Sequence, residues 1–192
     1  MTLPLDQRPV IVALAGSNGA GKTTFYYAHL REAALRFIEA DKLAKELKLD
    51  PYTAAHLADK LREQLLEQRE SFVFETVFSD PICEKVDFLK KAVTSGYNVI
   101  LCFIGISSPD ISEERVAMRV SQDGHDVPTN KIISRFPRTL TNLKVAIRQL
   151  PHVRIFDNDD LRKPFRQVAI FQNGRPEMLS DSIPPWLLPL LP

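Results

Sequence analysis

Residues 10–24 read VIVALAGSNGAGKTT: six apolar residues run into a glycine-rich turn, then a lysine and two threonines. An apolar run with no polar alternation suits a strand buried on both faces of a parallel sheet. The turn that follows, Gly16, Ser17, Asn18, Gly19, Ala20, Gly21, Lys22, Thr23 and Thr24, satisfies G-x-x-x-x-G-K-[ST]. That pattern carries chemistry only between a strand and a helix, and a helical stretch, KTTFYYAHLREAA, does follow it. In such a P-loop the glycines let the main chain curve around a phosphate chain with its N–H groups inward, and the helix N-terminus adds positive dipole. Lys22 is expected to reach the β- and γ-phosphates, and Thr23 to offer its hydroxyl to Mg²⁺. ATP and Mg²⁺ are therefore the expected cofactors. The bland reading, a glycine-rich turn ending in a solvated lysine, explains the letters but not their context.

Working outward, apolar or alternating runs at 35–40, 71–76, 97–106 and 153–158 read as further strands, and the most apolar, 97–106, belongs near the sheet centre. Helical patterns lie between them at 41–49, 53–69, 80–94 and 109–122. A last, long one has Ile133, Phe136, Leu140, Leu143, Ile147 and Leu150 recurring at steps of three and four, with Pro137 as a start or kink. Strands alternating with helices predict a three-layer α/β protein with the P-loop NTPase fold, a mostly parallel five-stranded sheet and a helical lid. A single domain over 1–192 is expected, with its core at about 10–158, the lid at about 109–150 and a C-terminal hairpin or tail at about 164–192. In that last part RQVAIFQNGRPEML resembles a strand entering an Asn-Gly turn, with a weak partner strand. The proline-broken end, SIPPWLLPLLP, is either packed on the domain or a partner-binding segment anchored by Trp186.

Composition narrows the function classes. The 25 basic and 24 acidic residues leave a net charge of +1, so no global field draws the chain to nucleic acid or to an anionic membrane. Two cysteines, Cys83 and Cys102, with no histidine at ligand spacing, argue against a disulfide framework or zinc. No signal peptide and no membrane-spanning stretch is visible, and a cytoplasmic location is expected.

Carboxylates stand at the ends of two predicted strands, Asp41 after the second and Glu75 after the third, where an open α/β sheet borders its ligand crevice. Phosphoryl transfer to a small molecule needs positioning, charge neutralisation and one carboxylate to accept the hydroxyl proton. Asp41 suits that base, or it is a helix cap. Glu75 suits a substrate hydroxyl or Mg²⁺-bound water, or it is a strand-end carboxylate paired with lysine. No N-K-x-D guanine-reading motif occurs. Arg115 and Arg119 share a face of one helix; Arg135, Arg138 and Asn142 lie off the apolar stripe of the next. Two helices joined by the polar turn DGHDVP and carrying inward arginines describe a closing lid that clamps phosphates, against the alternative of a solvated arginine face. His125 is a loop cap or a lid contact to nucleotide or substrate. Asn158, at the last strand end, lies near the adenine or is an ordinary turn former.

Taken in order, GSNGAGKTT, EADKLA, FVFETVFS, GYNVILCFIGISSPDISEERVAMRV and GHDVPTNKIISRFPRTLTNL before IFDN resemble the zeta toxin family of P-loop kinases over residues 10–158. The resemblance implies ATP:Mg²⁺-dependent phosphorylation of a sugar hydroxyl on a UDP-N-acetyl sugar. It implies Asp41 as base, Lys22 as the P-loop lysine, Arg119 with Arg135 or Arg138 as lid arginines, Glu75 and Thr76 at the substrate, and an antitoxin partner. The alternatives are a kinase for another small hydroxyl metabolite, or a nucleotide-dependent switch that hydrolyses ATP without an acceptor.

Overall fold

The computed structural model describes residues 4–122 and 126–192. The strand before the P-loop, β1 (Val10–Ala15), has all six side chains buried, as a strand covered on both faces requires. Around it lie β2 (Arg36–Ile38), β3 (Phe72–Thr76), β4 (Asn98–Gly105) and β5 (His152–Asp157), all parallel. Then β6 (Arg166–Gln172) and β7 (Arg175–Leu179) extend the sheet antiparallel, in the order β2-β3-β1-β4-β5-β6-β7. The sheet thus has seven strands, not five. The Asn173-Gly174 turn does close a hairpin, and its partner strand β7 was faint because an edge strand needs no apolar face: four of its five residues are exposed. Strand β4 is the middle strand, as its apolar run predicts.

Alternation within each strand sorts the side chains into two cores. Val10, Val12, Leu14, Val73, Ile100 and Cys102 pack against Phe25 and Tyr26 of α1 (Lys22–His29). On the opposite face Ile11, Phe72, Phe74, Leu101 and Phe103 meet Ala58 and Leu65 of α3 (Pro51–Glu67), Leu89 of α4 (Glu84–Thr94) and Leu143 and Ile147 of α6 (Thr129–Gln149). Short α2 (Ala40–Leu47) and α5 (Pro109–Val120) complete the set.

Local departures from expectation have local causes. Helix α1 stops at His29 and a 3₁₀ turn, Arg31–Ala33, replaces its predicted last turn. Asp50 does not only end one helix: it caps α3, accepting from the N–H groups of Tyr52 and Thr53, with Pro51 in the first turn where it loses no bond. Helix α4 begins at Glu84 rather than 80, after Cys83 in a left-handed conformation. Helix α6 runs through Pro137, and its stripe starts at buried Ile132; Ile133 is exposed. The proline-broken end packs down: Trp186 is buried and its indole N–H donates to Asp157 Oδ1 at 3.0 Å. It lies on Gly105, where a Cβ would fall 2.2 Å from the ring, so Trp186 is not available as an anchor for a partner. No helix among the described residues is long and apolar enough to cross a membrane.

Candidate active site

The P-loop joins β1 to α1. Gly21 caps the helix at φ 97°, a left-handed conformation that side chains resist, and a Cβ there would stand 2.7 Å from the Asn158 amide. Lys22 is 5% exposed, its ammonium donating to the Ser17 carbonyl at 3.0 Å and lying 3.5 Å from Glu75 Oε1. A buried ammonium held by a loop carbonyl and one carboxylate, beneath a glycine-rich turn, fits a polyanionic ligand. Thr23 donates its hydroxyl hydrogen to Glu75 Oε2 at 2.7 Å and lies 3.3 Å from Glu39 Oε1. Its oxygen lone pairs remain for a cation, so the residues present suit Mg²⁺ beside a phosphate chain.

These groups open into a cleft of about 900 Å³, near the top of the roughly 300–1,000 Å³ typical of small-molecule sites. Asn18, Gly19, Gly21, Lys22, Thr23 and Thr24 line one part of it, while Gly16, Ser17 and Ala20 form the turn behind. Asp41, Glu75 and Thr76 line it as well, and so do Arg115, Arg119, Arg135 and Arg138. Both helices thus bring arginines to the same cleft as the P-loop, and α5 touches that turn directly, the Ser112 hydroxyl donating to the Asn18 carbonyl. His125 lies outside the described residues.

Asp41 is not the helix cap. The cap position of α2 is Glu39, in extended conformation; Asp41 sits in the first turn with its side chain exposed at the cleft. Glu75 is paired with lysine, as its bland reading had it, but the lysine is Lys22 of the P-loop. Glu39 is the carboxylate that sequence reasoning passed over, hidden because the motif EADKLA offers two acids and helix-cap rules favour the second. Burial, then the charges of Glu75 and Asp41, push the Glu39 carboxyl above its usual range.

A raised native value means the native state binds this proton more tightly than the unfolded chain. The Glu39 contribution to stability therefore improves as pH falls through the native pKa toward the unfolded value of about 4.3, and its ionised form is a burden above that window. Glu39→Gln is expected to raise the melting temperature near neutral pH, by on the order of 2 °C, with the gain fading as pH drops through that window. Scanning fluorimetry across pH checks it, and a uniform loss at every pH would contradict it.

Several predicted ligand contacts serve the scaffold. Asn158 is buried, its amide N–H donating to the Ala20 carbonyl at 2.8 Å while its Oδ1 accepts from the Phe165 N–H at 3.2 Å. Both polar atoms are engaged, so Asn158 clasps the P-loop from behind instead of reaching toward a base. Arg115 donates to the carbonyls of Asn158 and Asp159, at 2.8 and 3.0 Å. Asn142 donates to the Phe78 and Asp80 carbonyls, and with Thr139, which donates to the Val77 carbonyl, it ties α6 to the loop after β3. Arg62, Asp59 and Lys85, on α3 and α4, also line the cleft; nothing in an amphipathic pattern separates them from solvated charges.

Comparison with known proteins gives a family and a fold. Residues 49–167 match the model of the family described as Zeta toxin. A chain of the AvrRxo1-ORF1:-ORF2 complex crystallised with ATP superposes with TM-score 0.71 at 20% identity, over 89% of this chain and 60% of that one. A structure of the PezAT chromosomal toxin-antitoxin system of Streptococcus pneumoniae gives TM-score 0.57 at 19% identity, over 84% and 71%. Shikimate kinase from Bacteroides thetaiotaomicron gives 0.51 at 19%, over 80% and 89%. The chain spans about six tenths of the length of the AvrRxo1 chains it matches. No curated protein matches it.

Proposed function

This chain belongs to the zeta toxin family and has the fold of P-loop kinases, and we propose that it transfers the γ-phosphoryl group of ATP to a hydroxyl of a small molecule, a UDP-N-acetyl sugar first among the candidates. The observation that carries the reading is the shared cleft, lined together by Lys22 and Thr23, by the exposed carboxylate of Asp41, and by Arg119, Arg135 and Arg138. Bound ATP supplies the phosphoryl group, and Mg²⁺ offsets the charge of its phosphates. Lys22 and the P-loop N–H groups hold the phosphate chain; Thr23 binds the cation and Glu75 holds Thr23 in orientation. Asp41 accepts the proton of the acceptor hydroxyl, and the lid arginines offset charge as it spreads in the transition state.

The nucleotide sugar rests on family membership, and so does a protein partner of antitoxin type, since the PezAT neighbour is described as part of a toxin-antitoxin system. A hydrolytic switch has less support, because the proline-broken end, the segment that could have bound an effector, is packed against β4 and β5 through Trp186. Incubating the purified protein with ATP, Mg²⁺ and a panel of nucleotide sugars and small alcohols, read by mass spectrometry, tests the proposal. A phosphorylated nucleotide sugar is the expected product. ATP loss at the same rate with and without every acceptor, with no phosphorylated product, would sink the kinase reading.

A further inference from the structure

On β3, Phe74 and Thr76 share one face and Glu75 lies on the other. Glu75 turns toward α1, where it meets Lys22 and Thr23. Phe74 turns toward α3, and the Arg62 guanidinium lies 4.8 Å above its ring. The cleft therefore has a second charged region, reached from the helix layer opposite the P-loop. There Arg62 Nη2 and Lys85 Nζ both contact a single carboxylate oxygen, Asp59 Oδ1, the lysine at 2.7 Å. The Arg62 side chain is only 6% exposed and that of Lys85 19%, whereas Asp59 is 44% exposed.

Among the described residues this pair of cations has one carboxylate in direct contact, and that carboxylate is half exposed. Glu63 is engaged by Lys91, and Asp80 accepts from the Glu84 N–H and lies 3.4 Å from the Asn142 amide, so neither supplies a second direct partner. Burial pulls the Arg62 pKa down to about 10 against the charge of Glu63, and burial together with the Arg62 charge lowers Lys85 against the charges of Asp80, Glu84 and Glu63. Burying a guanidinium and an ammonium this way costs stability unless an anion returns it. The stacking of Arg62 on Phe74 offsets part of that cost, and both cations line the cleft, where a ligand anion can reach them.

We propose that Arg62 and Lys85 anchor an anionic group of the acceptor, so that the phosphorylated molecule carries a phosphate or carboxylate apart from the hydroxyl it offers. This rests on the kinase reading for its meaning, but not for its test. The arginine fork and the lysine point charge serve either anion. Thr76, on the same face of β3 as Phe74, also lines the cleft, its hydroxyl oxygen accepting from the Phe78 N–H at 3.0 Å.

The test is a binding measurement. With the P-loop first filled by Mg²⁺ and a non-hydrolysable ATP analogue, calorimetry is run with UDP-N-acetylglucosamine, pyrophosphate, glucuronate and neutral N-acetylglucosamine. The wild-type protein is expected to bind an anionic probe at least tenfold more tightly than the neutral sugar. Lys85→Met and Arg62→Met, which keep the aliphatic stems, are expected to weaken that binding by about 10- to 100-fold with affinity for the ATP analogue unchanged. Tightest binding of the diphosphate probes assigns a phosphate; tightest binding of glucuronate assigns a carboxylate. The proposal is overturned if the neutral sugar binds as well as every anion, or if both variants lose melting temperature but no affinity. Absence of transfer to any acceptor, with the binding preference intact, would instead refute the kinase reading alone.

Discussion

Asp41→Asn is expected to lower kcat by about 10²–10⁴-fold while ATP binding and melting temperature stay close to wild type. Two roles compete for this residue, and their magnitudes differ enough to separate them. As a first-turn acid in α2 it interacts with the helix dipole, worth about 0.3–1 kcal/mol at an exposed position. It does not cap the helix, because Glu39 holds the cap position, so the larger capping loss does not apply. As the base it would contribute about 2.7–5.4 kcal/mol to the transition state, the equivalent of that rate loss. Steady-state kinetics with melting curves on the same preparations decides between them. A variant with full turnover and a melting temperature a degree or two lower would leave Asp41 as a helix-start residue only.

Trp186→Ala should cost about 3–5 kcal/mol of stability, or a melting temperature lower by on the order of 10 °C. The indole is 7% exposed, fills the surface over Gly105 and supplies a hydrogen bond to Asp157. Asp157 keeps its contact with Arg166, so the change removes packing and one donor without stranding the carboxylate. The next residue, Asn158, holds the Ala20 carbonyl behind the P-loop. Affinity for ATP should therefore fall along with stability, which calorimetry at low temperature can read separately from unfolding. Unchanged melting would mean the segment after β7 is dispensable.

What the sequence disclosed follows from which signals are periodic or fixed in spacing. The strand, turn and helix at 10–24 were legible because a two-face-buried strand has no polar alternation and a phosphate turn needs its glycines and lysine at set intervals. Strand β7 left little trace, since its edge position frees it from an apolar face. Within the site, Lys22, Thr23, Glu75 and the four arginines could be placed at the cleft from strand ends and helix faces. Asn158 and Asn142 could not be told from ligand contacts, because an amide that holds a backbone carbonyl is the same letter as one that holds a base. Arg62 was illegible for a related reason: its long stem lets a charge on a helix lie inward over an aromatic ring, and no spacing rule distinguishes that from a solvated arginine.

The contact of Trp186 with Gly105 also bears on the protein's biosynthesis. Every described residue that lines the cleft precedes residue 139, yet the strand ends at Gly105 and Asp157 gain their covering side chain only from residue 186. A ribosome that stalls or terminates before that codon releases a chain holding the whole cleft but lacking the indole above Gly105 and the donor to Asp157. Loss of that one residue would therefore weaken the sheet behind the cleft while leaving every cleft-lining residue in the chain.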